Sequence, residues 1–334
     1  MPVRKISKKR LKTLIDSFSG KNILVWGDLI LDEYLYGTTS RISREAPVLI
    51  LSYRHQEYSL GGAGNTVLNL KELGANPIPV GVIGDDLPGK HLVSLLSQAG
   101  ISTRYLIRWP QWSTPLKTRI LAGEETARKQ QILRIDHEDK IPADPNLKNK
   151  ILNQLTQLAP STEALLISDY NYGIVQEDIY HQILPHFNHL PLTLDSRFRL
   201  LRFKQVTALT PNESEAQHAL KIDEPPPEND FTTIGRQLLR RSQAQAVLLT
   251  RGSRGMILFE RRKRPLTIPI FGTTDIVDGT GAGDTVISVF TLALACQASF
   301  KEAATLANVA GGLVVMKKGT ASVSASELKE ALNL

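Results

Sequence analysis

The chain has 334 residues, 42% hydrophobic and 22% charged, enough to bury a sizeable core in one large α/β domain or two small ones. Its formal net charge of +7 does not point to nucleic acid. The basic residues are dispersed, apart from clusters at 4–10 and 261–264, and no stacking aromatics are interleaved with them, so anionic small molecules are the expected partners.

The single cysteine, Cys296, lies in an apolar stretch and reads as a small core residue. It excludes a disulfide framework or cysteine-rich zinc site and fits a reducing cytoplasm. The basic amino terminus lacks the apolar block of a signal peptide, and no apolar run is long enough to span a bilayer, so a cytoplasmic protein with no membrane partner is expected.

An amphipathic helix is predicted over 6–18, then a short buried strand over 22–27 ending in Gly27-Asp28. Similar apolar runs recur at 78–83, 164–168, 190–194, 206–209 and 246–250, the pattern of strands covered on both faces. Helical stretches alternate with them at 66–73, 89–98, 147–158, 213–219 and 234–241, before an apolar helix over 286–297. This alternation predicts an α/β fold: one domain over 1–334 with a doubly wound, mainly parallel sheet flanked by helices.

Two regions break the rhythm, at 33–60 and 101–136. The first alternates polar and apolar residues, and the second holds strand-like pieces at 116–121 and 131–135 joined by a polar turn over 122–130. Together they are expected to form a small antiparallel β-sheet lid that excludes water; the alternative is a pair of surface loops. Glu224-Pro-Pro-Pro-Glu228 reads as a surface turn, not a domain linker.

The strongest chemical signal is Asp278-Gly-Thr-Gly-Ala-Gly-Asp284-Thr285 at the start of the last apolar helix. Small residues let the backbone approach a ligand, and the helix start leaves amide hydrogens for an anion. Asp284 has two readings of equal weight: a helix cap, or a general base beside the amides of Gly281, Ala282 and Gly283. Gly61-Gly62-Ala-Gly64-Asn65 either approaches a sugar or makes a tight turn capped by Asn65. Asp28 and Asp32 follow the first strand, at the end of a parallel sheet where ligands bind, and suit vicinal hydroxyls; either alone would be a turn residue.

Gly84-Asp-Asp-Leu-Pro-Gly89-Lys90 has the opening of a P-loop, but His91 stands where a Ser or Thr must meet magnesium. Asn212 and Glu215 either cap a helix or organise magnesium through water, and Thr250-Arg251-Gly252-Ser-Arg-Gly255 either forms a plain hairpin or holds a nucleotide. No GxSxG, HExxH or Cys/His metal pattern occurs.

In order, Gly27-Asp28, Gly61-Gly62-x-x-Asn65, Gly81-x-x-Gly84-Asp85-Asp86, Asn212-x-x-Glu215, Thr250-Arg251-Gly252 and Gly281-Ala282-Gly283-Asp284 resemble the signatures of the ribokinase-like (PfkB) sugar kinases along essentially the whole chain. Within that family, residues 27–47, Pro115-Leu-Lys-Thr-Arg119, 131–136, 209–215 and 318–323 look like the D-glycero-β-D-manno-heptose 7-phosphate kinases. These supply the first phosphorylation in ADP-heptose synthesis for bacterial lipopolysaccharide and are often fused to a nucleotidyltransferase. With the sequence ending at Leu334, the kinase half alone is expected.

The resemblance implies an enzyme using ATP and Mg2+ to phosphorylate an anomeric hydroxyl. Asp284 would take the proton, and the amides of Gly281 to Gly283 would stabilise the moving phosphoryl group. Asp28, Asp32, Gly62 and Asn65 would hold the sugar. Lys117, Arg119 and Arg134 on the lid hairpin are candidates for the 7-phosphate, with a solvated charged face as the alternative. Asn212 and Glu215 would hold magnesium through water, while Thr250, Arg251, Gly252, Gly255 and Asn308 would meet the nucleotide. Potassium near Asp278 is a further implication of the resemblance, while a homodimer through the lid is expected because an exposed sheet edge invites pairing.

Three departures leave the acceptor open. Asp169-Tyr-Asn-Tyr172-Gly173 stands for Asp-Tyr-x-Lys-Gly, Asp195-Ser-Arg197 for Asp-Pro-Lys, and Ser253 for the usual Glu. A kinase for another sugar or sugar phosphate is therefore the alternative. A non-catalytic binding protein on the same scaffold is disfavoured by Asp284, its Gly-Ala-Gly run and Glu215.

Overall fold

In the computed structural model, which describes residues 6–123, 129–223, 231–272, 277–317, 319 and 321–333, the strand Asn22–Gly27 (β1) is buried on both faces. Ile23 and Val25 enter one core layer, and Leu24 and Trp26 enter the other. The further strands are β2 (Leu29–Ile42), β3 (Leu49–Gly62), β4 (Asn76–Ile83), β5 (Leu106–Arg108), β6 (Leu116–Gly123) and β7 (Gln130–His137). They continue as β8 (Ala164–Asp169), β9 (Leu192–Ser196), β10 (Ala208–Leu209), β11 (Ala246–Thr250), β12 (Met256–Glu260) and β13 (Leu266–Ile268).

Nine of these form one sheet in the order β13-β12-β11-β10-β9-β8-β1-β4-β5. It is parallel from β11 to β5, with β12 and β13 antiparallel at one edge. Helices cover both faces, which is why the strands read as unbroken apolar runs rather than alternating ones. From β1 the chain builds outward to β4 and β5 on one side and to β8 through β11 on the other. The crevice above the carboxyl ends of β1 and β8 is thus a topological switch point, where such sheets bind ligands.

The remaining strands form a second sheet in the order β3-β2-β6-β7. It differs from the antiparallel lid expected from the sequence, because β2 and β6 run parallel. Both follow closely on strands of the parallel large sheet, β1 and β5, so both run outward in the same direction. The second expected segment also began too early: Leu106–Arg108 pairs with β4 at the edge of the large sheet, and the small sheet takes up the chain only at Leu116. Register shifts at Tyr36/Gly37, Thr39/Arg41 and Ile120/Leu121 bend its long strands.

The P-loop lookalike serves the scaffold. Asp86 caps the helix Leu87–Gln98, its Oδ1 accepting the Gly89 amide at 2.8 Å. Its Oδ2 accepts the Thr114 amide at 2.7 Å. Among the described residues, no helix is long and apolar enough to cross a membrane. The expected proline turn at 224–228, and part of the turn at 122–130, fall outside the described residues.

Candidate active site

The helix Ala282–Ala295 begins at Gly281, whose φ of 77° is left-handed and therefore suited to glycine. No side chain caps its first turn, although the Ala282 amide donates to the Gly279 carbonyl at 3.3 Å. Asp284 lies inside that first turn and is not its cap: its carboxylate faces the helix Ala63–Glu72 and the segment after β8. Asn65 Nδ2 donates to Oδ2 at 2.8 Å, while Tyr170 OH donates to Oδ1 at 3.2 Å and Thr66 Oγ1 lies 3.3 Å from the same oxygen. Farther along, Thr285 Oγ1 donates to Asn69 Oδ1 at 2.8 Å, locking the helix to its neighbour Ala63–Glu72. Burial pushes Asp284 up to about 7, against the hydrogen bonds from Asn65, Tyr170 and Thr66 that favour its ionised form. A carboxylate so poised suits proton abstraction near neutral pH.

Two cavities meet at this helix start. The smaller, about 100 Å³, is bordered by Gly281 and Asp284 together with Asp32, Gly62, Lys117 and Arg119. The larger, about 280 Å³, is bordered by Ala282 and Gly283 and by Asn212, Glu215, Thr250 and Asn308. Gly252 and Gly255 complete one wall of it, on the 3₁₀ turn between β11 and β12. Arg251 faces a neighbouring depression, its Nε donating to Glu213 at 2.8 Å.

Asn212 and Glu215 do form a reciprocal capping box, each side chain 2.9 Å from the other's amide, yet both also face the larger cavity. Asp195, at the end of β9, faces it too. Burial and then the charge of Glu215 push Asp195 well above the usual carboxylate range, and burial raises Glu215. Two carboxylates strained in this way suit a divalent cation shared with phosphates. Among the described residues no set of three or more His, Cys, Asp or Glu is placed to hold a metal ion. Asn308 Nδ2 donates to the Pro269 carbonyl at 2.9 Å.

Two residues expected at the sugar stand elsewhere. Asn65 is fully buried and spends its amide on Asp284 and Asn69, so it orients the carboxylate. Asp28 is fully buried beneath the site, its Oδ2 accepting the amides of Tyr170 at 2.7 Å and Tyr172 at 3.2 Å. Burial, then the charge of Asp169, push it up to about 7. It ties β1 to the segment after β8.

The lid cations are already paired. Arg119 Nη1 meets Asp32 Oδ1 at 2.7 Å, Lys117 Nζ meets Glu138 at 3.0 Å and Asp136 at 3.4 Å, and Arg134 meets Asp136 at 2.9 Å. Burial raises Asp32, with Arg119 opposing it.

The sequence did not single out Tyr170 or Asp195, which border these cavities, and offered Arg197 only as an arginine in place of a lysine that could meet phosphate. Each lies at or just past the carboxyl end of a buried parallel strand, and that position was the available signal.

Residues 21–327 match the family model of pfkB family carbohydrate kinases. The chain is 36% identical over 329 residues to the bifunctional protein HldE of Geobacter metallireducens, covering 97% of this chain and 65% of that protein. It is 38% identical over 318 residues to HldE of Nitrosococcus oceani, covering 95% and 65%. The chain therefore spans just under two thirds of these relatives. Among solved structures, Escherichia coli phosphofructokinase-2 in complex with potassium superposes with a TM-score of 0.74 at 17% identity, over 94% of this chain and 98% of that one. Arabidopsis thaliana ribokinase complexed with ribose and ATP gives 0.70 at 19%, over 95% and 99%. These two likenesses establish a ribokinase-like fold. With the family model covering nearly its whole length, the chain belongs to the pfkB family of carbohydrate kinases.

Proposed function

We propose that this ATP-dependent carbohydrate kinase transfers the γ-phosphoryl group of ATP to the anomeric hydroxyl of D-glycero-β-D-manno-heptose 7-phosphate, giving the 1,7-bisphosphate. The observation that carries the reading is the junction of the two cavities at one uncapped helix start. Gly281 and Asp284 border the acceptor side, Ala282 and Gly283 the nucleotide side. The kinship to HldE proteins, at 32–38% identity, supports the heptose as acceptor.

In this reading the sugar lies against Asp32 and Gly62, with its reacting hydroxyl at Asp284. The carboxylate takes the hydroxyl proton as the oxygen attacks phosphorus, and the amides at Gly281 to Gly283 stabilise the charge on the phosphoryl group in flight. Glu215, Asn212 and Asp195 are the residues that would hold magnesium, which neutralises phosphate charge when bound. Thr250, Gly252, Gly255 and Asn308 line the nucleotide side, with Arg251 adjacent.

Two further partners belong to this reading. The potassium complex of E. coli phosphofructokinase-2 motivates a monovalent ion near Asp278, whose Oδ1 and Oδ2 accept the amides of Thr280 and Gly319. Exposed Ile42, Leu49 and Tyr53 on the outer small sheet support a homodimer through that edge. The cytoplasm, where ATP is available, is the proposed location.

The test is ATP consumption over a panel of phosphorylated and unphosphorylated sugars, with the product's phosphate position read by NMR. Highest kcat/KM on the heptose 7-phosphate is expected; preference for an unphosphorylated sugar overturns the acceptor assignment. A second acceptor, another sugar phosphate, is favoured by one feature: Tyr172 stands where the heptose kinases carry lysine, and its hydroxyl donates to Glu138.

A further inference from the structure

The Asp284 carboxylate meets Asn65, Thr66 and Tyr170, which come from two segments far apart in sequence. One residue touches both segments. Asp28, directly after β1, accepts the Ala63 amide on its backbone oxygen at 3.0 Å, at the start of the helix that carries Asn65 and Thr66. Its side chain accepts the amides of Tyr170 and Tyr172 at 2.7 and 3.2 Å. Asp28 is fully buried and borders neither of the cavities that meet at Asp284, so it touches no ligand there.

The turn that Asp28 holds is an unusual one. Asn171 sits at a left-handed φ of 68°, and the successive amides of Tyr170, Asn171 and Tyr172 all donate to carboxylates. Successive amides so arranged form a concavity for an anion. Asp169 takes the middle amide at 3.0 Å, and Arg199 neutralises it. Asp28 takes the other two without a cation of its own. The Arg199 guanidinium is committed to Asp169 and the Val175 carbonyl, and Asp28 Oδ1 has no hydrogen-bond partner among the described residues. A buried carboxylate without a partner ion is destabilising, and only the two amides offset that cost. The turn they belong to presents two hydroxyls: that of Tyr170 to Asp284, and that of Tyr172 to Glu138, which also meets Lys117 of the lid at 3.0 Å.

We infer that Asp28 is a positioning residue for the base: its carboxylate fixes the turn 170–172 and so holds the Tyr170 hydroxyl against Asp284, a role that rests on the reading of Asp284 as general base. Two routes from Asp28 to Asp284 have opposite signs. Acting only through space, loss of the Asp28 charge favours ionisation of Asp284 and moves the acid limb to lower pH. Acting through the turn, it releases the Tyr170 hydroxyl that favours the ionised carboxylate, and moves the limb to higher pH. The other charges around the two groups, Asp169 and Arg199 beside Asp28 and Asp32 beside Asp284, stay in place either way.

The test is a double-mutant cycle of Asp28→Asn and Tyr170→Phe, read as the pH profile of kcat/KM with ATP and the sugar that the wild type uses best. Asn keeps one acceptor oxygen and loses the charge. The acid limb of Asp28→Asn is expected to rise by roughly 0.5–1 pH unit, a roughly two- to fivefold lower kcat/KM at pH 7, with ATP affinity by calorimetry unchanged. On the Tyr170→Phe background the same substitution is expected to move the limb no further upward, because the hydroxyl it acts through is gone. A limb that falls or stays in the single variant, or rises additively in the double one, overturns the inference. A purely structural role would lower the melting temperature and leave the limb in place. If Asp28→Asn does not fold, NMR of the wild type decides. The Tyr170 and Tyr172 amide protons are expected to move downfield as the Asp28 carboxyl ionises, and amides that do not follow it overturn the inference. Near-normal turnover in Asp284→Asn refutes the reading of the base and this inference with it. An inactive Asp284→Asn beside additive Asp28 and Tyr170 effects refutes this inference alone.

Discussion

Replacing Tyr170 with Phe removes one hydroxyl and leaves the ring. In the wild type that hydroxyl donates to Asp284 Oδ1 at 3.2 Å, in a buried site where the carboxyl is pushed up to about 7. The bond stabilises the ionised carboxylate only, so its loss raises the pKa further. A hydrogen bond to a charged group is worth about 1.5–3 kcal/mol, and at 3.2 Å the lower figure applies. Divided by about 1.4 kcal/mol per pH unit, that is a shift of about one unit. Because the base must be ionised to act, the acid limb of the kcat/KM profile, near pH 7 in the wild type, moves to about pH 8 in Tyr170→Phe. The assay is ADP release coupled to a pH-insensitive readout, from pH 5.5 to 9.5 at fixed magnesium. Near-normal rates return above the shifted limb if the residue only positions and tunes the base. An unmoved limb, or one displaced to lower pH, refutes the placement of Asp284 as the titrating base under this hydroxyl.

Three other perturbations test the remaining claims. Asp284→Asn is expected to keep ATP affinity by calorimetry and lose turnover by roughly 10²–10⁴-fold, and near-normal turnover would remove Asp284 from the base role. The same variant should be more stable than wild type at pH 8, by on the order of 1–4 kcal/mol in urea unfolding. The sign follows from the raised folded pKa: Asp284's stabilising contribution is whole below about pH 4 and is lost as the pH rises through about 7. Arg119→Ala strips the partner from Asp32, a side chain only 5% exposed, and should cost about 3–5 kcal/mol at pH 8, with a smaller loss in acid where Asp32 is protonated. Asp86→Ala should lower stability by about 1–3 kcal/mol through the lost helix cap and Thr114 contacts, without altering ATP affinity. Weakened nucleotide binding there would mean that the glycine-lysine turn serves the nucleotide after all.

The linear order of residues was enough to announce the large sheet, because strands covered on both faces must be apolar throughout; β1, β4, β8 and β11 stand close to where their runs predicted. It was enough, too, for the Gly281–Asp284 turn, whose small residues and following apolar helix are local properties. Partners were another matter. Asn65 reaches Asp284 from 219 residues away and Tyr170 from 114, so the base's surroundings depend on which crossovers bring those strand ends together. The same holds for charge: Lys117, Arg119 and Arg134 look like phosphate ligands when read one by one. Only the pairing of β2, β6 and β7 brings Asp32 against Arg119 and Asp136 against Lys117. Periodicity encodes burial within an element, whereas a side chain's electrostatic neighbours are set by contacts between elements distant in sequence.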